Sequence, residues 1–305
     1  MGTPLAPLTT FQLGGPCREL IQCADPDSLR TAVSALLRAG TPYVLIGGGS
    51  NLLIADEGVD AVVVRYFSEE PAVTVKDGAV EVSGATILDQ FVRATIEAGW
   101  DGVIMCSGIP GTVGGAIVGN AGAFGKQIGD VLESVELMDA NGNVYRLPAG
   151  DLDLGYRRSR LQVSGEVVLS ARLRLPAGDM NAMRRKREEI LALRRAKHPD
   201  WRTEPCIGSI FRNVEPTSSA GRRQAAGWFL EEAGVKELRV GGAFVYPKHA
   251  NIIIKGEEGT AEDVYELARR MARAVRDRFG FDLVREVRFL GRFHAAGDAP
   301  TTRFF

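Results

Sequence analysis

Apolar positions recur with helical spacing in some stretches of the chain and with strand spacing in others. In "DPDSLRTAVSALLRAG" Leu29, Val33, Leu36 and Leu37 fall on one face and Gly40 closes the run, which predicts an amphipathic helix. The runs "YVLI" and "AVVVR" are short and β-rich, so the N-terminal part reads as a small α/β unit with glycines at a strand end. From about residue 71 the pattern changes: "AVTV" and "AVEVS" flank the turn "KDG", and "ESVELM" and "NVYRL" flank "DANG", two hairpin signals. Between them "TILDQFVRATIEAG" has helical periodicity and ends at Gly99, so a second α+β unit follows, reaching "EVVLSARLRL".

Residues 181–197, "NAMRRKREEILALRRAK", set mixed charge around Ile190, Leu191 and Leu193, the pattern of an exposed connecting helix; Glu188 and Glu189 among the arginines favour a solvated face over a phosphate site. The last unit begins near Trp201. Its clearest helix is "TAEDVYELARRMARAVRDRFG", with Thr260 as N-cap, Asp263 in the capping-box position, Val264, Leu267, Met271 and Val275 inward and Gly280 at the end.

Composition narrows the function. A chain of 305 residues, 45% hydrophobic, can bury two or three domain cores. Its 37 basic and 38 acidic side chains nearly cancel, which gives no electrostatic reason to expect nucleic acid or an anionic membrane, and points to a small ligand. The N-terminus lacks the basic and apolar pattern of a secretory signal, and no run reaches the roughly 18 apolar residues of a membrane span. Cys17, Cys23, Cys106 and Cys206 form no Cys-x-x-Cys pair, and His198, His249 and His294 are dispersed, so neither a disulfide framework nor a metal site is expected; a reducing cytoplasm is the expected compartment.

Two glycine-rich stretches carry the candidate chemistry. "IGGGSNLL" places Gly47, Gly48 and Gly49 before Ser50 and Asn51, and bare backbone there lets an anion lie on N–H groups, with the two side chains as further donors. The Rossmann fingerprint fails, because Leu52 stands where its third glycine belongs, and no Walker-A sequence exists. "SGIPGTVGGAIVGNAGAFG", residues 107–125, has glycine at seven of nineteen positions, and Pro110 and its apolar residues make it too rigid for a linker. Two such loops facing one another suit a pyrophosphate. A plain turn between strands competes evenly for the first loop taken alone.

Together the two loops resemble the flavin-binding pair of the UDP-N-acetylenolpyruvoylglucosamine reductase (UDP-N-acetylmuramate dehydrogenase) family. "LGYRRSRL" at 154–161, "CIGSIFRN" at 206–213, "AGWFLEEAGVKELRVGGAFVYPKHAN" at 226–251 and "REVRFLG" at 285–291 are similar to that family's segments in the same order, so the resemblance spans nearly the whole chain. It implies an α+β fold: a two-subdomain FAD-binding unit of the vanillyl-alcohol-oxidase type, residues 1–66 and 67–178, then a connecting helix, an α+β substrate-binding domain and a C-terminal tail over 179–305. It implies cofactor contacts from Gly47, Gly48, Gly49, Ser50 and Asn51 in one loop and from Ser107, Gly108, Pro110, Gly111, Thr112, Gly114, Gly115, Asn120 and Gly122 in the other. Neither loop holds a histidine for covalent attachment, so the FAD is expected to be non-covalent.

The implied reaction takes hydride from NADPH by way of FAD to the enolpyruvyl ether of UDP-N-acetylglucosamine enolpyruvate, giving UDP-N-acetylmuramate for peptidoglycan synthesis. On the matching positions Ser209 is the proton donor, while Arg157 and Glu286 stabilise the enolate-like intermediate. An ionised carboxylate would oppose that charge, so Glu286 is expected either to be protonated or to act through Arg157 or water. Tyr156, Arg212 and Asn213 match substrate-binding positions. The family usually reads Asn-Pro where this chain has Asn213-Val214-Glu215-Pro216, which alters the expected loop path. Little room remains after "GYRRS" for the tyrosine-bearing loop of longer members, so the chain reads as the shorter subclass, with another residue on the diphosphate.

Two rivals remain: an FAD-dependent alcohol or sugar oxidoreductase of the same fold, with no use for Ser209 as an acid, and a non-catalytic nucleotide-binding module. Without the family context Ser209 reads as a turn residue, Arg157 as a surface cation and Glu286 as a strand-edge ion-pair partner.

Overall fold

The computed structural model describes residues 2–216 and 222–294; the expected C-terminal tail from residue 295 lies outside the described residues. In chain order the α-helices among them are α1 (Pro26–Arg38), α2 (Leu88–Glu97), α3 (Val113–Val118), α4 (Leu161–Ser164), α5 (Met180–Lys197), α6 (Ala226–Glu232) and α7 (Ala261–Phe279). The chain forms two compact units, a central one from residues 19–48 and 61–194 and a terminal one from 2–18, 49–60 and 195–294. The boundary therefore runs through the first glycine loop, between Gly48 and Gly49.

In the central unit, α1 starts where Asp25 accepts the Ser28 amide at 2.8 Å, with Pro26 preset for the first turn. Leu29, Val33 and Leu36 face inward as expected, whereas Leu37 is 37% exposed, because the helical turn per residue sets it at the edge of the buried stripe. They pack on the parallel pair Tyr43–Ile46 and Val59–Tyr66, through Val62, Val64 and Tyr66. A five-stranded antiparallel sheet runs in the order Val144–Pro148, Leu132–Met138, Val167–Leu173, Ala79–Ser83, Val73–Lys76, and includes both expected hairpins. The tighter turn has Asp77 and Gly78 at φ 50° and 71°, which matches the right-handed strand twist. Phe91, Ile96, Val113 and Ile117 from α2 and α3 share one core with Val135 and Leu137 of the sheet.

The expected solvated face of α5 holds for most of the helix, Glu188 and Glu189 included, and one side of it packs inward. Met183 and Ile190 are buried, and Arg187, only 14% exposed, pairs with Asp89 of α2 at 2.7 Å, so part of the charged surface is packed against the protein.

In the terminal unit, α7 has the expected capping box: Thr260 accepts the Asp263 amide at 3.0 Å and Asp263 accepts the Thr260 amide at 3.1 Å. Asp56 adds a second carboxylate, accepting the Ala261 and Glu262 amides at 2.9 and 3.0 Å at the positive end of the helix dipole. Val264, Leu267, Met271 and Val275 are buried with Phe229 and Leu230 of α6 and with the antiparallel strands Ala243–Val245 and Ile253–Lys255. Leu52–Ile54, just past the first glycine loop, pairs in parallel with Arg288–Leu290.

Candidate functional site

The strand Tyr43–Ile46 delivers the first glycine loop against the second within the central unit. A Cβ on Gly47 would lie 2.8 Å from Thr112 Oγ1, and one on Gly48 would lie 2.9 Å from Gly111 Cα. The loops thus touch, Gly48 against the Gly111 backbone and Gly47 against the Thr112 side chain, and a side chain at either position would force them apart. Gly111 has φ 115°, and Thr112 then caps α3, accepting the Gly115 amide at 3.2 Å.

Several residues of the second loop have structural tasks. Ser107 is fully buried and donates its hydroxyl to the Ile104 carbonyl at 2.6 Å. Gly114 lets α3 approach the Gly84 carbonyl, which a Cβ would meet at 3.1 Å, and a Cβ on Gly122 would clash with the Lys126 carbonyl. Gly108, Pro110 and Gly115 are exposed. The Gly108 amide, at φ 72°, donates to Asp89 at 2.8 Å, so Asp89 holds both the loop entrance and Arg187.

The "GYRRS" turn is docked on the far end of that loop. Asn120, buried at φ 42°, donates to the Gly155 carbonyl at 2.8 Å and accepts the Gly129 amide at 3.0 Å. Ser159 and Gln162 both donate to the Val118 carbonyl, at 2.7 and 3.2 Å. Arg157, at φ 52°, sends Nη2 to the Gly122 carbonyl at 2.9 Å and stacks over Tyr156 at 5.4 Å. Arg194 of α5 is within electrostatic reach of Arg157: burial first pushes its pKa down, with Arg157 adding to that, while Cys106 and Asp89 oppose it. Burial likewise pushes the Cys106 thiol up to about 11.

Ser209 and Glu286 belong to the terminal unit. The Ser209 segment lies between two others: Ser209 bridges Ile252, and Phe211 bridges Arg285. Ile210 donates to the Asn251 carbonyl at 2.9 Å, and its own carbonyl accepts the Glu286 amide at 2.8 Å. Asn51 joins this neighbourhood, donating Nδ2 to the Glu286 carbonyl at 3.2 Å and accepting the Arg288 amide at 3.0 Å. Gly49, at φ 63°, packs its bare Cα against the Leu8 carbonyl, and Ser50 is half-buried beside it. Arg212 is half-buried; burial first, then its cation, push the Arg288 pKa below the usual arginine value. Asn213 accepts the Ala226 amide at 3.2 Å and so starts α6.

Asn251, Asp89, Arg187 and Arg194 are features the sequence pattern did not single out. Asn251 precedes "IIIK" as any turn residue might, and Asp89 looks like an ordinary acidic first-turn residue of a helix. Among the described residues no group of three or more His, Cys, Asp or Glu is placed to hold a metal, the four buried cysteines form no disulfide, and no helix is long and apolar enough to cross a membrane.

Residues 18–148 match the family model described as an FAD binding domain, and residues 199–290 match the UDP-N-acetylenolpyruvoylglucosamine reductase C-terminal domain. The UDP-N-acetylenolpyruvoylglucosamine reductase of Gloeobacter violaceus is 40% identical over 95% of this chain and 96% of its own. That of Acidiphilium cryptum is 38% identical over 94% and 90%. The crystal structure of the enzyme from Thermus caldophilus superimposes with a TM-score of 0.75 at 31% identity, covering 94% of this chain and 97% of that one. The expected α+β class and the FAD-binding architecture of the vanillyl-alcohol-oxidase type hold. Through both domains and along nearly its whole length, the chain belongs to the UDP-N-acetylenolpyruvoylglucosamine reductase family.

Proposed function

We propose that this chain reduces the enolpyruvyl ether of UDP-N-acetylglucosamine enolpyruvate to UDP-N-acetylmuramate, with FAD as cofactor and NADPH as hydride donor. Family membership over nearly the full chain supports the reaction. FAD supplies the hydride chemistry when bound. The two loops suit its diphosphate, because glycine at 47, 48 and 111 leaves backbone N–H groups uncovered by side chains where the loops meet. Ser50, Asn51, Gly108, Pro110, Thr112 and Gly115 are assigned to FAD with them, and the absence of histidine from both loops supports a non-covalent cofactor. Residues 1–66 and 67–178 are the proposed cofactor subdomains, and 179–305 the substrate domain and tail.

The substrate's double bond becomes electron-rich at the carbon beside its carboxylate. Ser209 gives that carbon a proton, and its placement matters more than its pKa. Arg157 presents two forked donors to the carboxylate, a geometry lysine lacks. Glu286 acts as the neutral acid or through a water, since its anion would oppose the developing charge. Tyr156, Arg212 and Asn213 bind the nucleotide sugar. The observation that carries the residue assignment is the bond from the Glu286 amide to the Ile210 carbonyl at 2.8 Å, which puts Ser209 and Glu286 on hydrogen-bonded segments. Four cysteines that form no disulfide fit a cytoplasmic setting.

The test is an anaerobic absorption spectrum taken after NADPH and again after UDP-N-acetylglucosamine enolpyruvate. Bleaching followed by recovery is expected in the parent, and bleaching with slow recovery in Ser209→Ala. Bleaching without recovery in the parent would assign the chain to another substrate, and no flavin spectrum after added FAD would remove the enzyme reading.

A further inference from the structure

We propose that Asn251 is a positioning residue for protonation, an inference that rests on the assignment of that step to Ser209. Asn251 is 2% exposed and Phe211 4%. The Asn251 side chain takes both polar groups of the Phe211 backbone: Oδ1 accepts the Phe211 amide at 3.0 Å and Nδ2 donates to the Phe211 carbonyl at 2.8 Å. Its main-chain carbonyl holds the Ile210 amide at 2.9 Å, and its own amide donates to His249 Nδ1 at 3.2 Å. One residue therefore fixes the peptide planes on both sides of Phe211 and the one before it.

That grip matters because of what lies upstream. Gly208 precedes Ser209 at φ 76°, with nothing within 4 Å of where a Cβ would stand, so no side chain braces that side of the entry to Ser209. The orientation of Ser209 is set from the downstream side, by Ile210 and Phe211, and across the sheet by its bridge to Ile252, the residue after Asn251. A carboxamide alone satisfies both Phe211 groups, since it offers one donor and one acceptor in a plane. Aspartate would turn an acceptor toward the Phe211 carbonyl, and serine cannot reach both groups. In a buried setting the loss leaves an unpaired backbone group, so the segment shifts to find another partner. A shift of about 1 Å at a reacting group costs on the order of 100-fold in rate.

The experiment compares Asn251→Asp and Asn251→Ser with the parent, all carrying FAD, by anaerobic stopped-flow absorbance. Asn251→Gln keeps both hydrogen-bonding groups one methylene farther out, and carries the test if the other two fail to fold. Bleaching by NADPH is expected within about two-fold of the parent, while recovery on UDP-N-acetylglucosamine enolpyruvate slows about 100-fold at saturating substrate. In a Ser209→Ala background the Asn251 substitution should slow recovery no further. Parental recovery in a flavin-replete Asn251 variant, or a loss that multiplies that of Ser209→Ala in full, overturns the proposal. Parental recovery in Ser209→Ala alone would instead overturn the assignment on which it rests, so the two failures are distinguishable.

Discussion

The Arg157 guanidinium donates to the Gly122 carbonyl at 2.9 Å from a backbone held at φ 52°. A non-glycine residue in that region costs about 1–3 kcal/mol, so the surrounding bonds must over-determine the turn. Asn120, Ser159 and Gln162 supply them. Arg157→Lys keeps the charge and loses the fork; turnover is expected to fall roughly 100- to 1,000-fold with flavin content unchanged, as read by steady-state kinetics alongside the visible spectrum.

Gly48→Ala should push the two glycine loops apart, because the new Cβ meets Gly111 Cα at 2.9 Å and backbone cannot rotate out of the way. FAD affinity is expected to drop at least about tenfold, corresponding to roughly 1.4 kcal/mol, in a fluorescence titration of the apoprotein. Gly150→Ala, where nothing lies within 4 Å of the added carbon, should bind as the parent does.

Asp89→Ala removes an anion that holds the Gly108 amide at 2.8 Å and Arg187 at 2.7 Å. With Arg187 only 14% exposed, the guanidinium is left half-desolvated without its partner. Urea denaturation should show a loss of about 2–3 kcal/mol, with Asp89→Asn losing less because it retains an acceptor for Gly108.

Acid should weaken the terminal unit through His249. Burial, aided by the Lys197 and Lys236 charges and opposed by its own backbone and Glu231, pushes its pKa below the usual value. The unfolded imidazole takes a proton near pH 6.5 while the folded one still resists, so the unfolded state binds more protons and stability falls as pH drops below that point. Above it the contribution is constant. Denaturation at pH 7.5 and pH 5.5 should show a smaller difference for His249→Gln than for the parent.

Local signals were legible because their causes are local. Thr260 and Asp263 are three residues apart, and the "KDG" turn needs only its own two positive φ angles. The glycine loops were recognisable as loops, but why each glycine is bare was not: Gly48 answers to Gly111 and Gly49 to Leu8. The same holds for the polar supports. Asn251 acts on Phe211 forty positions away, and Asp89 on Arg187 ninety-eight positions away, so each looked like an ordinary cap or turn residue. Charge density on α5 marked its solvated face correctly, but not the inward turn of Arg187, because the carboxylate that draws it lies on another helix.

The parallel pairing of Leu52–Ile54 with Arg288–Leu290 also orders events during synthesis. At ribosomal speeds the early strand waits roughly ten to fifty seconds for its partner to be made. Until then the edge that Arg288–Leu290 later covers lacks its native partner in the nascent chain. A ribosome stalled short of residue 288 would release a polypeptide whose other early strands can pair natively while Leu52–Ile54 keeps an open edge, a route to aggregation.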